Sequence, residues 1–489
     1  MEDLAIRKKN LWMFPLGTVG RDMMYCLVTN FLLTYILFTK GLTGAQLAAV
    51  TAIMVLARVF DALNDPIMGN LIESTRTRWG KFKPWLAAGI LLSSVVVYMV
   101  FSTKLTGWNF IILFAVFYFS FSIAYTMHDI SYWGMVPALS SDANARDQFA
   151  SRATLFAGVG GTLASIVIPM FTTGEMALGG SANVAYGWIA LAVGILAPLF
   201  LCFTLFGAQE RRDDMDAPRT SVGFKKIIST VKGNDQLRWI SVIFLVQQVG
   251  NGLVVGGIGS TYIYFDFGYS GGLYSIFTTV GMSATAFLMI FYPVISKRIH
   301  RKKLMGIMAV IYTFGYALML AAGLLIPGAT LRFWVLVIGY MLANFGSYSY
   351  YLIMMISIIN TVEYNEYKCG TRDEAIIASV RPFVTKMGSA LIVVITSVSY
   401  LLFGVTGYTN QISEYESAAS AGTITEVEKL TAIENVIAGV EKSQSVGLLL
   451  CMTVIPCVLM LVSYFLYKKH YTLDEEEYER ICGQIAAGK

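Results

Sequence analysis

The stretch "ARVFDALNDPIMGN" (Ala57–Asn70) lies inside an apolar run long enough to cross a bilayer, yet it carries Arg58, Asp61 and Asp65. About 20 apolar residues span a hydrocarbon core of about 30 Å as a helix rising 1.5 Å per residue. Runs of this kind recur along all 489 residues, whereas the strict alternation of barrel strands does not. The chain is 56% hydrophobic and only 14% charged, with a mean hydropathy of +0.62, which excludes an ordinary soluble domain of this length. Backbone polar groups in lipid must be satisfied within the segment, so the spans are read as helices.

The pattern predicts an all-α membrane protein with twelve spans: 12–38, 44–72, 83–103, 108–137, 152–173, 184–207, 237–265, 272–296, 303–326, 331–360, 375–404 and 443–467. They fall into two groups of six, giving an N-terminal bundle (1–207), a polar cytoplasmic linker (208–236) and a C-terminal bundle (237–489). Basic residues cluster after span 2 (Arg76, Arg78, Lys81, Lys83), span 6 (Arg211 to Lys232) and span 8 (Lys297 to Lys303). The positive-inside rule then places both termini, including the tail 468–489, in the cytoplasm. The acidic loop 409–444 is expected outside, as a connector or partial cover that can form a short helix. The net charge of +5 reflects these loops and argues for topology, not for nucleic acid. Six cysteines lie mainly in spans without metal or disulfide spacing, and the N-terminus leads into a span too long for a signal peptide.

Ionisable residues at the centre of a spanning helix cost roughly 2.5–3.5 kcal/mol each on insertion scales and normally face a polar interior. Arg58, Asp61 and Asp65, spaced three and four apart, stack on one helix face with Asn64 beside them. Span 4 adds Asp129, with Thr126 about one turn before it and Trp133 one turn after. Span 1 adds Arg21 and Asp22. A lone charge of this kind can simply pair two helices. As a set, however, Asp22, Asp61, Asp65 and Asp129 outnumber Arg21 and Arg58, and excess negative charge calls for an exchangeable cation. Carboxylate, amide and hydroxyl oxygens suit Na⁺, and crowded carboxylates also hold H⁺; the residues leave both open.

The two halves show weak similarity: "ARDQFASR" (Ala145–Arg152) after span 4 resembles "TRDEAIIASVR" (Thr371–Arg381) after span 10. Two related six-helix halves around a shared site are the arrangement of the major facilitator fold. Spans 7 to 10 lack a mid-membrane carboxylate, but span 11 supplies Arg381 and Lys386. The cation site is therefore expected in the N-terminal half, with Lys386 facing it. Among the many aromatics, Trp133 and Tyr125 stand out because they share a helix with Asp129. An aromatic ring beside carboxylates suits a sugar, whose C–H face it covers while polar groups take the hydroxyls. The glycines of "GVGG" (Gly158–Gly161) and "GNGLVVGGIG" (Gly250–Gly259) are read as close helix contacts, not as phosphate loops.

Three motifs, "RVFDALNDPIMGNLIESTRTRWGKFKPW" (Arg58–Trp85), "YTMHDISYWGMVP" (Tyr125–Pro137) and "TKMGSA" (Thr385–Ala390), resemble those of the glycoside/pentoside/hexuronide:cation symporter family. The resemblance covers nearly the whole chain. It implies that Asp61, Asn64, Asp65, Thr126 and Asp129 bind the cation, with Asp61, Asp65 and Asp129 as metal ligands if the ion is Na⁺. It implies a sugar site at Asp22, Arg21, Tyr125, Asp129, Trp133, Arg152 and Lys386, with Arg58 and Lys386 balancing charge. There are departures from the family's best-known member. Arg21 stands where that protein has lysine, His128 where it has an apolar residue, and Pro382 precedes Lys386 where its pattern has a hydroxyl. The external loop is also longer. These differences touch the sugar site more than the cation motif.

The expected function is import of a glycoside or related sugar by symport with Na⁺ or H⁺ through alternating access, with no cofactor beyond the coupling ion. The rivals are an uncoupled facilitator in the same cavity and a symporter for an acidic sugar, the latter suggested by Arg21, Arg152, Arg381 and Lys386. No H-E-x-x-H or Walker A motif is present and His128, His300 and His470 are scattered, so an enzyme is not expected. The expected partners are the sugar, the cation and the lipid bilayer, with no nucleic acid and no obligate protein partner. The resemblance implies a bacterial inner (plasma) membrane.

Overall fold

A computed structural model describes residues 4–140, 142–210 and 224–487. Most of the expected linker, 211–223, lies outside the described residues. The described chain is helical apart from short connections and one isolated bridge between Thr77 and Gly80. Eleven described helices are long and apolar enough to cross a membrane, and a twelfth helix, Gly271–Arg298, covers the expected span 8. The twelve spanning helices expected from hydropathy are therefore present among the described residues.

The first unit comprises Met1–Thr220, Ile263–Ser275 and Tyr400–Val440. Its spanning helices begin with α1 (Leu4–Cys26), which runs through a π-helical turn (Leu27–Phe31) into α2 (Leu32–Thr39). They continue with α3 (Gly44–Ser74), α4 (Lys83–Ser102), α5 (Gly107–Leu139), α6 (Ala143–Thr172) and α7 (Ala182–Cys202). A capping box starts α3: Thr43 Oγ1 accepts from the Gln46 N–H at 3.3 Å, and Gln46 Oε1 accepts from the Thr43 N–H at 3.0 Å, satisfying two otherwise orphaned donors.

Close approach of α1 to its neighbours depends on missing side chains. A Cβ at Gly160 would stand 2.2 Å from the Val19 carbonyl oxygen, and one at Gly20 would stand 2.5 Å from Ala197 Cα. These small residues let α6 and α7 press against α1, fixing the height of Arg21 and Asp22. Part of the glycine reading holds: Gly160 makes the contact, whereas Gly158 and Gly161 face open space.

The second unit comprises Ser221–Tyr262, Ile276–Ser399 and Glu441–Lys489. It draws on α8 (Phe224–Gly233), α9 (Asp235–Gly252), α10 (Gly259–Phe267), α11 (Gly271–Arg298), α12 (Arg301–Leu325), α13 (Ala329–Cys369) and α14 (Glu374–Leu402). Between α9 and α10 lies a π turn (Val254–Ile258), and Gly252 and Gly256 let Ile392 approach, as expected of close contacts. The unit also holds α17 (Lys442–His470) and the tail helix α18 (Glu475–Ala486). That tail is tied to the basic loop by Arg301–Glu475 (3.0 Å) and Lys302–Asp474 (2.9 Å) ion pairs.

The loop read as able to form a short helix forms two, α15 (Val405–Ser420) and α16 (Glu426–Ala438), and they belong to the first unit. Their junction is anchored by Glu416 and Lys429, both with 0% side-chain exposure and 3.6 Å apart. Glu416 Oε2 accepts from the Ala182 N–H at 2.6 Å and Lys429 Nζ donates to the Gly180 carbonyl at 2.7 Å. Burial raises the Glu416 carboxyl above its ordinary range, against the downward pull of Lys429 and the Ala182 N–H.

Candidate functional site

The polar residues of the first unit form two neighbouring networks that share α5. In the first, Asp61 on α3 is buried, at 2% exposure. Its Oδ2 accepts from Arg58 Nη1 at 3.4 Å, and its Oδ1 accepts from the Ser122 hydroxyl of α5. One turn further along α3, Asp65 Oδ1 accepts from Thr126 Oγ1 at 3.2 Å. Each carboxylate of the pair is thus capped by an α5 hydroxyl, and Ser122 and Thr126 stand four apart on one helix face. Between them Asn64 is buried, and its Nδ2 lacks a hydrogen-bond partner among the described residues. A half-turn of that amide would present its oxygen in the same place.

In the second network Arg21 of α1, itself buried at 4% exposure, binds two carboxylates. Nε donates to Asp22 Oδ2 at 2.8 Å and Nη2 lies 2.6 Å from the same oxygen. Nη1 donates to Asp129 Oδ1 at 3.1 Å. The guanidinium lies 5.1 Å from the ring centre of Tyr132 and 5.6 Å from that of Trp133, a planar cation flanked by aromatic rings. Tyr132 is fixed by its hydroxyl, which donates to the Phe14 carbonyl at 2.6 Å. Tyr125 stacks on Tyr25 with ring centres 5.1 Å apart. The carboxylates remain partly open, with side-chain exposures of 20% for Asp22 and 38% for Asp129, and Trp133 is exposed at 37%.

These contacts bring Asp61, Asn64, Asp65 and Thr126 together, and separately Arg21, Asp22, Asp129 and Trp133. Among the described residues, no three acidic, histidine or cysteine side chains converge as ligands of one metal ion. Asp129, expected beside the α3 pair as a third carboxylate ligand, accepts from Arg21 through Oδ1. Arg152 is not brought to the sugar-type cluster. Its guanidinium donates to the Leu11 carbonyl at 3.4 Å and stacks 4.9 Å from the Trp12 ring centre, ten residues, or about 15 Å of helix, before Arg21. An aromatic face and a backbone acceptor on α1 hold it there. Lys386 belongs to the second unit, on α14. Sequence reading overlooked Ser122, although its place one turn before Thr126 is the signal that could have found it. It also overlooked Tyr132 and Tyr25, for which a sequence this rich in aromatics offers no signal.

Comparison with known proteins gives a consistent result. The profile of the MFS/sugar transport protein family matches residues 13–475. The chain is similar to a lactose permease of Leuconostoc lactis, 28% identical over 81% of this chain and 62% of that protein. It is also similar to a raffinose carrier protein of Pediococcus pentosaceus, 26% identical over 96% of this chain and 70% of that one. The chain thus spans less than two thirds of the length of the first of these relatives. In fold it is similar to a bacterial homolog of the human lysosomal transporter Spinster, with a TM-score of 0.62, 13% identity and 98% of each chain covered.

Proposed function

We propose that this chain, which belongs to the MFS/sugar transport protein family, imports a glycoside or related sugar by symport with Na⁺ or H⁺. Relatives named for lactose and raffinose support a galactoside-type sugar as the first class to test. The observation that carries the coupling is the α3 carboxylate pair, each member capped by an α5 hydroxyl.

In this reading the cation enters between Asp61 and Asp65 and draws on oxygens of Ser122, Thr126 and Asn64. A monovalent ion with hard oxygen ligands does not need a third carboxylate. The sugar binds beside Asp22 and Asp129, whose open oxygens accept hydrogen bonds from its hydroxyls while Arg21 holds both carboxylates in place. Trp133 covers an apolar sugar face. Ser122, Thr126, Asp129 and Trp133 recur at spacings of four, three and four along α5, so one helix face serves both networks. A cation that draws Ser122 and Thr126 towards α3 reorients Asp129 for the sugar, and linkage requires the sugar to raise cation affinity by the same factor. Alternating exposure of the site follows from rocking of repeats, with Lys386 and Arg58 balancing charge between loaded and empty states. The basic loops support an orientation with both termini in the cytoplasm, and relatives from bacteria support a plasma-membrane location.

The test is uptake in proteoliposomes of labelled lactose and raffinose, with competing neutral and acidic sugars, under an inward Na⁺ gradient, an inward H⁺ gradient or neither. Accumulation above equilibrium under one gradient is the expected result. Equilibration indifferent to both gradients would mean a facilitator.

A further inference from the structure

Beyond the transport site, the first unit holds a cavity of about 440 Å³ where the ends of α2, α4, α7 and α15 meet, within the range of small-ligand sites. Lys40 lies on its wall with only 4% exposure. Its Nζ donates to the Thr103 carbonyl at 2.6 Å and lies 5.2 Å and 5.1 Å from the ring centres of Tyr35 and Phe110. No carboxylate pairs with it among the described residues. Burial lowers its pKa to about 8, a penalty that a bound anion would relieve. A second cation, the exposed Lys104, lines the same cavity. Asn183 donates its amide to Ser417 Oγ at 3.2 Å, while its buried Oδ1 has no hydrogen-bond partner among the described residues.

We propose that this cavity binds the headgroup of an anionic phospholipid with a hydroxylated headgroup, of the phosphatidylglycerol type. The phosphate sits between Lys40 and Lys104, and a headgroup hydroxyl donates to Asn183 Oδ1. Two observations favour a lipid over a free anion. The cavity is flanked by Tyr98 and Trp188, exposed at 42% and 56%, the amphipathic aromatics that sit at headgroup level. Below them α4 and α7 present exposed Val95, Leu91, Ile195 and Leu199 to the bilayer, a surface along which acyl chains lie. In the proposed orientation this is the outer leaflet. Two cations disfavour a zwitterionic lipid, and a choline headgroup offers Asn183 no N–H or O–H donor.

The experiment is native mass spectrometry of the full chain released from nanodiscs of equal phosphatidylglycerol and phosphatidylcholine, with thermal stability in detergent as a second readout. The expected result is preferential retention of phosphatidylglycerol and stabilisation by that lipid but not by inorganic phosphate. Retention should fall about fivefold for Lys104→Gln, with a further loss for Asn183→Leu. Lys104 is exposed, so its variant tests the site without disturbing the core, which Lys40→Met can do. Equal retention of both lipids, or preferential retention unchanged in both Lys104→Gln and Asn183→Leu, would overturn the proposal. Stabilisation by inorganic phosphate alone would overturn it in favour of a soluble anion.

Discussion

Two charged clusters in the first unit are built differently. Glu416 and Lys429 are sealed, with no side-chain exposure and backbone partners at Ala182 and Gly180. Arg21 is nearly as buried, yet the carboxylates it holds are open by 20% and 38%. The sealed pair is a clamp: its charges have no route to exchange partners, so it holds the hairpin of α15 and α16 in place. The open cluster keeps its cation fixed and leaves acceptor oxygens reachable, the requirement of a site that must take up and release a ligand. Burial of one partner, then, says little about function, and exposure of the other says more.

The contrast can be broken at either cluster. The largest effect is expected for Asp61→Asn, which should abolish cation-driven accumulation of sugar while the protein still inserts and exchanges sugar at equilibrium. Full concentrative uptake by this variant would remove the α3 pair from the coupling mechanism. At the clamp, Lys429→Met leaves the Glu416 carboxylate buried without its partner and should cost about 3–5 kcal/mol of stability. The double change Glu416→Gln with Lys429→Met should restore much of it, read as the thermal midpoint in detergent. A single variant as stable as the parent would show that the hairpin is not clamped by this pair.

Smaller changes sharpen the division. Ser122→Ala or Thr126→Ala removes one hydrogen bond to a charged group, worth about 1.5–3 kcal/mol. The expected reading is a cation affinity lower by roughly tenfold to a hundredfold, with sugar binding in the absence of cation unchanged. Loss of sugar binding in both conditions would mean that these hydroxyls shape α5 rather than serve the cation. The least effect belongs to Arg152→Gln. Its stacking on exposed Trp12 is worth about 0.5–1 kcal/mol, so sugar affinity should stay within about fivefold of the parent. A complete loss of sugar binding would return Arg152 to the sugar site.

Much of this was legible in the sequence because a bilayer leaves little freedom. Hydropathy located the helices, and the three-and-four spacing of Arg58, Asp61 and Asp65 put them on one face of α3. Pairing between helices was not legible. Ser122 reads as an ordinary small polar residue until α5 is packed against α3, and Arg152 reads as a free cation until Trp12 and the Leu11 carbonyl lie beside it. The hairpin was underestimated for a different reason. Its polar composition marks it as lying outside the bilayer, but only the buried Glu416–Lys429 pair, contributed by separate helices, reveals that it docks. The cavity holding Lys40 was likewise invisible, since a lysine at a span boundary normally signals only the interface.

In the proposed mechanism α5 joins the cation pair to the sugar wall, so cation and sugar binding are thermodynamically linked. Once a transported sugar is identified, its affinity should be measured with and without saturating cation, and cation affinity with and without saturating sugar, on the purified protein. Equal fold-increases in the two directions, lost together in Thr126→Ala, are expected. Sugar affinity indifferent to both Na⁺ and H⁺ would contradict this linkage.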